Sequence, residues 1–385
     1  MNKWRSLKSA YVKKILSFTL ALGLCIGAVT VFPMLSKAAD KVDLKSACSL
    51  TAKATSTTDK AILDDLDKAN VVMDIYKIAN AVENKRADGY TFDVVDPYLG
   101  IVDLPKGTTA DEWMAVSQKA ASVVKAYYTA GTPIVPTQTV ESGKAADQLE
   151  AGLYLVLARG EGIVDYFIET DNASTSQKDI FTMATGADYE YFFAPEIVAL
   201  PTKDPNPTTG EIDLSAQTEW KYSTTIYMKP YWEPRFGDLK IIKDLRDFET
   251  SEPAFFIFQV DTEKKYGDVV KKTSNVYTLK FTEAKEEYLI IKDLPVGADV
   301  TVTEINSGAT YKIQGSDTQN TTIVANDVVD VRFTNTYNNY KKKGGAITNH
   351  FDPVLDENGS IKLDEHGQPV YTWSVYEDST EEVAN

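Results

Sequence analysis

Three residues in the second half of the chain are of types that react with one another in a dry interior: a lysine, a glutamate and an asparagine. In Leu239-Lys240-Ile241-Ile242-Lys243-Asp244-Leu245, a repeat of two places Lys243 on the face of Leu239, Ile241 and Leu245. In Val300-Thr301-Val302-Thr303-Glu304 it places Glu304 beside Val300 and Val302. In Val331-Arg332-Phe333-Thr334-Asn335-Thr336-Tyr337 it places Asn335 beside Val331, Phe333 and Tyr337. Successive side chains of a strand point to opposite faces, so all three are directed into an apolar layer, where an unpaired polar group costs several kcal/mol. A lysine attacks a carbonyl only as the neutral amine, and burial lowers its pKa. Burial raises that of Glu304, which can then stay protonated, hydrogen-bond the Asn335 carbonyl and carry protons while ammonia leaves. Fixed geometry supplies the effective molarity, so no separate enzyme is required. The expected product is an amide bond between Lys243 and Asn335, formed once per molecule. Two other readings stay open: a buried Lys–Glu ion pair with Asn335 hydrogen-bonded nearby, and a Lys243 that snorkels to the sheet edge. Asn349, in Ile347-Thr348-Asn349-His350-Phe351, imitates the closing strand and is an alternative acceptor.

The elements that must position these residues read as short strands at 238–245, 254–261, 276–281, 287–293, 299–305, 310–313, 321–325 and 329–337, without a helical stretch. That spacing indicates a β-sandwich. In the first half, residues 39–60 read as a loosely ordered opening and Asn70 to Asn80 as a strand. A helix is expected from Thr109 to Ala130, capped by Thr109 with Glu112 three residues on and striped by Trp113, Val116, Ala120, Val123, Val124 and Tyr127. Strands follow at 151–158, 189–200 and 219–229, with a loop from Lys203 to Gly210. The fold class is therefore all-β: tandem Ig-like β-sandwich domains, the N-terminal one with one inserted helix. The expected divisions are a signal peptide at 1–38, an N-terminal β-rich domain at 39–230, a stiff linker at 231–237, the sandwich at 238–340, and a linker and tail hairpin at 341–385. The hairpin would turn at Glu357-Asn358-Gly359-Ser360.

Lys3, Arg5, Lys8, Lys13 and Lys14, the apolar run from Ile15 to Phe32, and Ser36-Lys37-Ala38 form an export signal with a small-residue cleavage site. An uncleaved anchor is the alternative, since the run approaches the length of a membrane span. After cleavage only Cys48 remains, so no intramolecular disulfide can staple an exported protein, which leaves room for another covalent staple. The net charge of −16 is spread along the 385 residues, and basic patches with interleaved aromatics are absent from the sequence, which argues against nucleic acid as a partner. The two histidines, His350 and His366, both fall in the tail, so neither a histidine triad nor a His-rich metal site fits. No cofactor is expected. Lys77 also lies on an apolar face, but the strand at 219–229 offers it no inward Asn or Asp, so a carboxylate partner or a place at the strand's end is expected for it.

The opening strand with Lys243, the central Val302-Thr303-Glu304 and the closing Phe333-Thr334-Asn335-Thr336-Tyr337 resemble the Cna protein B-type domains of Gram-positive surface proteins and pili. The resemblance implies that the first-strand lysine and last-strand asparagine join spontaneously as an isopeptide bond, assisted by the glutamate. Trp220 followed nine residues later by Lys229, with Tyr227 between, is similar to the pilin motif of sortase-assembled pili. Lys229 would then be the acceptor lysine, although Met228 stands where a Pro is usual and Thr224 where a Val is usual. Ala151 to Val156 and Phe192 to Pro201 resemble pilin N-terminal domains. A Leu-Pro-x-Thr-Gly sorting signal does not occur before Asn385, which leaves a fragment or a protein without its own wall anchor.

Together these readings give an exported structural subunit of a Gram-positive pilus or stalk on the cell wall or surface, not an enzyme, whose partners are other pilin subunits linked by sortase. The alternative is a surface adhesin that binds a host or matrix ligand and uses the sandwich as a stalk.

Overall fold

The computed structural model describes residues 41–375, apart from 56–58, 85–88, 106–109, 172–177, 204–218, 308–309, 339–348 and 365–367. The expected signal peptide at 1–38 and much of the segment from 341 onward lie outside the described residues. The chain is all-β, with two helices among the described residues. Its first part runs β1 (Cys48–Ala54), α1 (Lys60–Asp67), β2 (Val71–Glu83), β3 (Tyr90–Val94), α2 (Ala110–Thr129), β4 (Gln138–Glu141), β5 (Ala145–Leu149) and β6 (Gly152–Gly160). It continues with β7 (Phe167–Asp171), β8 (Lys178–Thr185), β9 (Tyr189–Phe193), β10 (Glu196–Leu200), β11 (Ser223–Met228) and β12 (Tyr231–Pro234).

These strands form sheets in the orders β11-β1-β5, β10-β6-β2-β3 with β4 also on β2, and β12-β9-β8-β7. Strand β6 lies at the centre and is apolar on both faces. Its Tyr154, Val156 and Ala158 enter one core with Leu50, Met73 and Ile226, while Leu153, Leu155 and Leu157 enter another beneath α2 with Val116, Ala120 and Val124. A strand buried on both faces reads as an apolar run and not as an alternation, and Leu153 to Ala158 is such a run. Gln118 fixes α2 to β8: its side chain accepts from Ile180 N at 2.7 Å and donates to Ile180 O at 3.1 Å.

Four sequence expectations change here. Residues 48–54 are not loosely ordered. They form β1, pairing in parallel with β11 from Ser49↔Ser223 to Ala54↔Met228. Of their inward residues Cys48, Leu50, Ala52 and Ala54, all but Leu50 are small, so the alternation is weak in apolar content although complete in burial. There are two described helices and not one. The shorter, α1, is capped by Asp59, which accepts from Ala61 N at 2.9 Å. Within the expected linker, Tyr231–Pro234 is β12, paired with β9, and only Arg235 separates it from the next strand; prolines at its ends are compatible with an edge position. Finally, Tyr127 is 40% exposed and does not join the buried stripe of α2.

The second part comprises β13 (Phe236–Leu245), β14 (Ala254–Tyr266), β15 (Val269–Phe281), β16 (Lys285–Pro295), β17 (Asp299–Asn306), β18 (Tyr311–Gln314), β19 (Thr318–Thr322) and β20 (Val328–Tyr337). Two sheets, β16-β13-β20-β18 and β15-β14-β17-β19, enclose a core that includes Leu239, Ile241, Phe256, Phe258, Val300, Val302, Val331 and Phe333. First and last strands lie side by side: β13 pairs in parallel with β20 from Asp238↔Val328 to Leu245↔Asn335. The β14–β15 hairpin extends beyond the expected strands, to a turn where Gly267 supplies φ +55°, a conformation that glycine adopts without steric cost. The tail holds β21 (Asn349–Pro353) and β22 (Tyr371–Val375), which pair with each other, and Leu355 bridges Ile361 around the turn expected at Glu357–Ser360.

The two parts meet at the turn after β8. Asp65, 6% exposed, accepts from Ala187 N at 2.8 Å, Asp188 N at 3.0 Å and the Tyr191 hydroxyl at 2.9 Å. A Cβ on Gly186 would lie 2.0 Å from Asp65 Oδ2, so only glycine permits this approach. Arg235, between the parts, donates through Nη1 to Gly186 O at 2.7 Å and Ala187 O at 3.1 Å.

Candidate crosslinking site

Alternation along three strands brings Lys243, Glu304 and Asn335 to one point in the second core, with residue exposures of 0%, 4% and 0%. Lys243 of β13 stands opposite Phe333 of β20, and Asn335 lies two residues further along the same inner face. Glu304 comes from β17 in the facing sheet, opposite Phe258 of β14. Its backbone N–H donates to Asp317 O at 2.8 Å, anchoring the strand's end.

One carboxyl group bridges the two nitrogens. Lys243 Nζ donates to Glu304 Oε2 at 3.1 Å, and Asn335 Nδ2 donates to Glu304 Oε1 at 2.6 Å. The contact differs from the sequence expectation, in which Glu304 held the Asn335 carbonyl. A carboxyl presenting acceptor oxygens takes the amide N–H, and Asn335 Oδ1 is left buried with no hydrogen-bond partner.

Burial sets the electrostatics. Desolvation pushes the Lys243 amine down to about 8, against the opposing pull of Glu304. Desolvation likewise raises the Glu304 carboxyl above its ordinary value, opposed first by Lys243. Both shifts favour the neutral pair of amine and carboxylic acid. Around them lie groups that the alternation argument did not single out: the Phe256 ring, 4.7 Å from Lys243 Nζ, and Tyr311, whose ring is 5.4 Å from that of Phe256. Tyr311 also borders a shallow, open surface depression with Ser307, Lys312, Gly315, Ser316 and Asp317. Its signal in the sequence was the inward place shared with Ile313, but a tyrosine there reads as ordinary core.

The other candidates lie apart. Asn349 pairs with Val375 in the tail hairpin, whose two strands join neither sheet of the sandwich. Lys229 follows the end of β11 and is exposed, as is Tyr227, while Ile226 and Met228 are buried. Trp220 precedes β11, with its ring 5.5 Å from that of Tyr90 and 4.5 Å from Lys203 Nζ. Lys77 reaches Glu150 at 2.5 Å, a carboxylate partner. In the first part, the parallel terminal pair β1–β11 buries Leu50, Ala52, Ile226 and Met228, with no lysine and asparagine facing each other. Among the described residues, no cluster of His, Cys, Asp and Glu could hold a metal ion, and no helix is long and apolar enough to cross a membrane.

A family model described as a domain of unknown function (DUF5979) matches residues 244–338. No curated protein matches the chain. Among solved structures, a pilus-presented adhesin is 15% identical with a TM-score of 0.23, over 43% of this chain and 39% of its own. A minor pilin of Streptococcus agalactiae is 13% identical with a TM-score of 0.21, over 78% of this chain and 100% of its own. The major pilin of Streptococcus pyogenes is 11% identical with a TM-score of 0.21, over 76% of this chain and 99% of its own.

Proposed function

We propose that this chain is an exported structural subunit of a Gram-positive cell surface, of pilin type, whose second sandwich crosslinks itself through an isopeptide bond between Lys243 and Asn335. The observation that carries the reading is the single buried carboxyl of Glu304 between the lysine amine and the asparagine amide. The neutral Nζ attacks Asn335 Cγ. A proton passes from Nζ to the Glu304 carboxyl, and the carboxyl gives one to Nδ2. The Cγ–Nδ2 bond breaks, ammonia leaves, and an Nζ–Cγ amide remains. Glu304 ends as it began, so the reaction balances without any co-reactant and without turnover.

The bond would close a loop of roughly 90 residues, which removes about 4–5 kcal/mol of chain freedom from the unfolded state. It would tie the first strand of the sandwich covalently to the last. The exposed Lys229, outside that loop, supports the second half of the reading, in which a sortase joins it to another subunit. An adhesin using the same crosslinked sandwich as a stalk fits the site equally and differs in having a matrix ligand.

Intact mass tests the bond. The folded protein is expected to weigh one ammonia less than its sequence, and the Lys243→Ala, Glu304→Ala and Asn335→Ala variants to keep the full mass. A wild-type protein with its full mass would leave the three residues as a buried ion pair with a hydrogen-bonded amide.

A further inference from the structure

We infer that the hydroxyl of Tyr311 is the oxyanion donor of the crosslinking reaction, the group that receives the charge developing on Asn335 Oδ1. The inference rests on the crosslinking read above. Among the described residues from 236 to 337, two buried side-chain polar atoms have no hydrogen-bond partner: Tyr311 Oη, a donor, and Asn335 Oδ1, an acceptor. Buried polar groups are nearly always paired, so an orphan donor and an orphan acceptor in one core call for a common explanation.

Their placement supplies it. Ile313 of β18 stands opposite Asn335 of β20, and Tyr311 opposite Tyr337. Residues opposite each other across a ladder share a face, so Tyr311 and Asn335 are diagonal neighbours on the inner face, a separation that an aromatic side chain can span. Tyr311 is 5% exposed and packs against the Phe256 ring over which Lys243 Nζ sits.

The chemistry needs such a donor. When Nζ attacks Cγ, the carbonyl π pair moves onto Oδ1, which becomes an alkoxide in the tetrahedral intermediate. Both oxygens of Glu304 are already engaged with Nζ and Nδ2. Asp317 and Asp244 bring further negative charge to the neighbourhood, Glu287, opposite Lys243 on β16, is paired with Lys285, and none of them is a donor for Oδ1. The Tyr311 O–H donates to Oδ1 while the charge is present and keeps its proton. When the carbonyl re-forms and Nδ2 departs with the proton from Glu304, the hydroxyl is released unchanged. A donor that engages only as charge develops accelerates the step without stabilising the starting state.

The test uses the full chain captured in denaturant during synthesis, then diluted to fold, with fluorescence following folding and intact mass following ammonia loss. Tyr311→Phe removes one oxygen and keeps the ring. It is expected to fold at the wild-type rate and to lose ammonia about 10²-fold more slowly. Ammonia loss at the wild-type rate in Tyr311→Phe would overturn the inference while leaving the bond intact. Slowed folding with an unchanged interval between folding and ammonia loss would overturn it too, since that is the signature of a packing role. A wild-type chain that never loses ammonia would overturn the underlying reading instead, and Glu304→Ala, measured alongside, fixes what absence of reaction looks like.

Discussion

Lys264, on the long β14–β15 hairpin of the second sandwich, donates to Asp188, in the turn after β8 of the first part, at 2.5 Å, with the two side chains 11% and 21% exposed. The residues are 76 positions apart, and their pairing fastens one part of the chain to the other beside the single residue, Arg235, that connects them covalently. Asp65 holds the turn that presents Asp188, so a helix of the first part indirectly positions a lysine of the second.

The pair should therefore carry coupling energy. In a double-mutant cycle on Asp188→Asn and Lys264→Met, we expect about 2 kcal/mol of interaction in the thermal or denaturant unfolding of the full chain. The same single variants should widen the distribution of interdomain distances in small-angle scattering. Additive single effects with unchanged scattering would show that Arg235 and the adjoining strands hold the junction alone.

Stability against pH would separate a protein carrying the proposed crosslink from one without it. In Asn335→Ala, Lys243 keeps its amine, and its folded pKa of about 8 lies below the ordinary 10.5. Between those values the unfolded chain binds the extra proton, so stability rises with pH through that window. Glu304 is shifted the other way: from 4.5 up to its raised value the folded state binds the extra proton, so stability falls as pH rises. The variant should show a stability minimum between the two windows. If the wild type carries the proposed crosslink, its Lys243 is an amide and does not titrate, so the alkaline limb should vanish. Chemical denaturation across pH checks this, and an alkaline limb of equal size in both proteins would contradict it.

Lys229 should accept an acyl group where other lysines do not. With a sortase and a labelled Leu-Pro-x-Thr-Gly donor peptide, label is expected on Lys229 by peptide mapping, and Lys229→Arg should reduce it to background. Lys221→Arg, on the same segment and also exposed, should leave labelling unchanged. Undiminished labelling of the Lys229→Arg protein would remove the acceptor assignment.

Alternation placed Lys243, Glu304 and Asn335 correctly because strong apolar neighbours on each strand, such as Ile241, Val302 and Phe333, mark the inner face without ambiguity. The same reasoning missed β1, whose inward Cys48, Ala52 and Ala54 carry little hydrophobic signal. It stopped short on the β14–β15 hairpin, where Val269 to Val276 is exposed on both faces and no burial pattern exists to read. The two prolines around β12 looked like a linker because edge pairing with β9 is a tertiary fact. Lys264 with Asp188, and Tyr311 with Asn335, are likewise products of topology, for which the local sequence holds no signal.

The parallel pairing of β13 with β20 has a mechanical consequence. The chain enters the sandwich at the start of β13 and leaves at the end of β20, so pulling on those two points slides one strand along the other. The load then falls in shear on the whole ladder from Asp238↔Val328 to Leu245↔Asn335, and its hydrogen bonds share it. A hairpin pulled at its open end would instead unzip one rung at a time. The β1–β11 pair of the first part is loaded in the same sense. Both ends of the described fold are thus closed by strands that resist extension cooperatively, before any covalent link is counted.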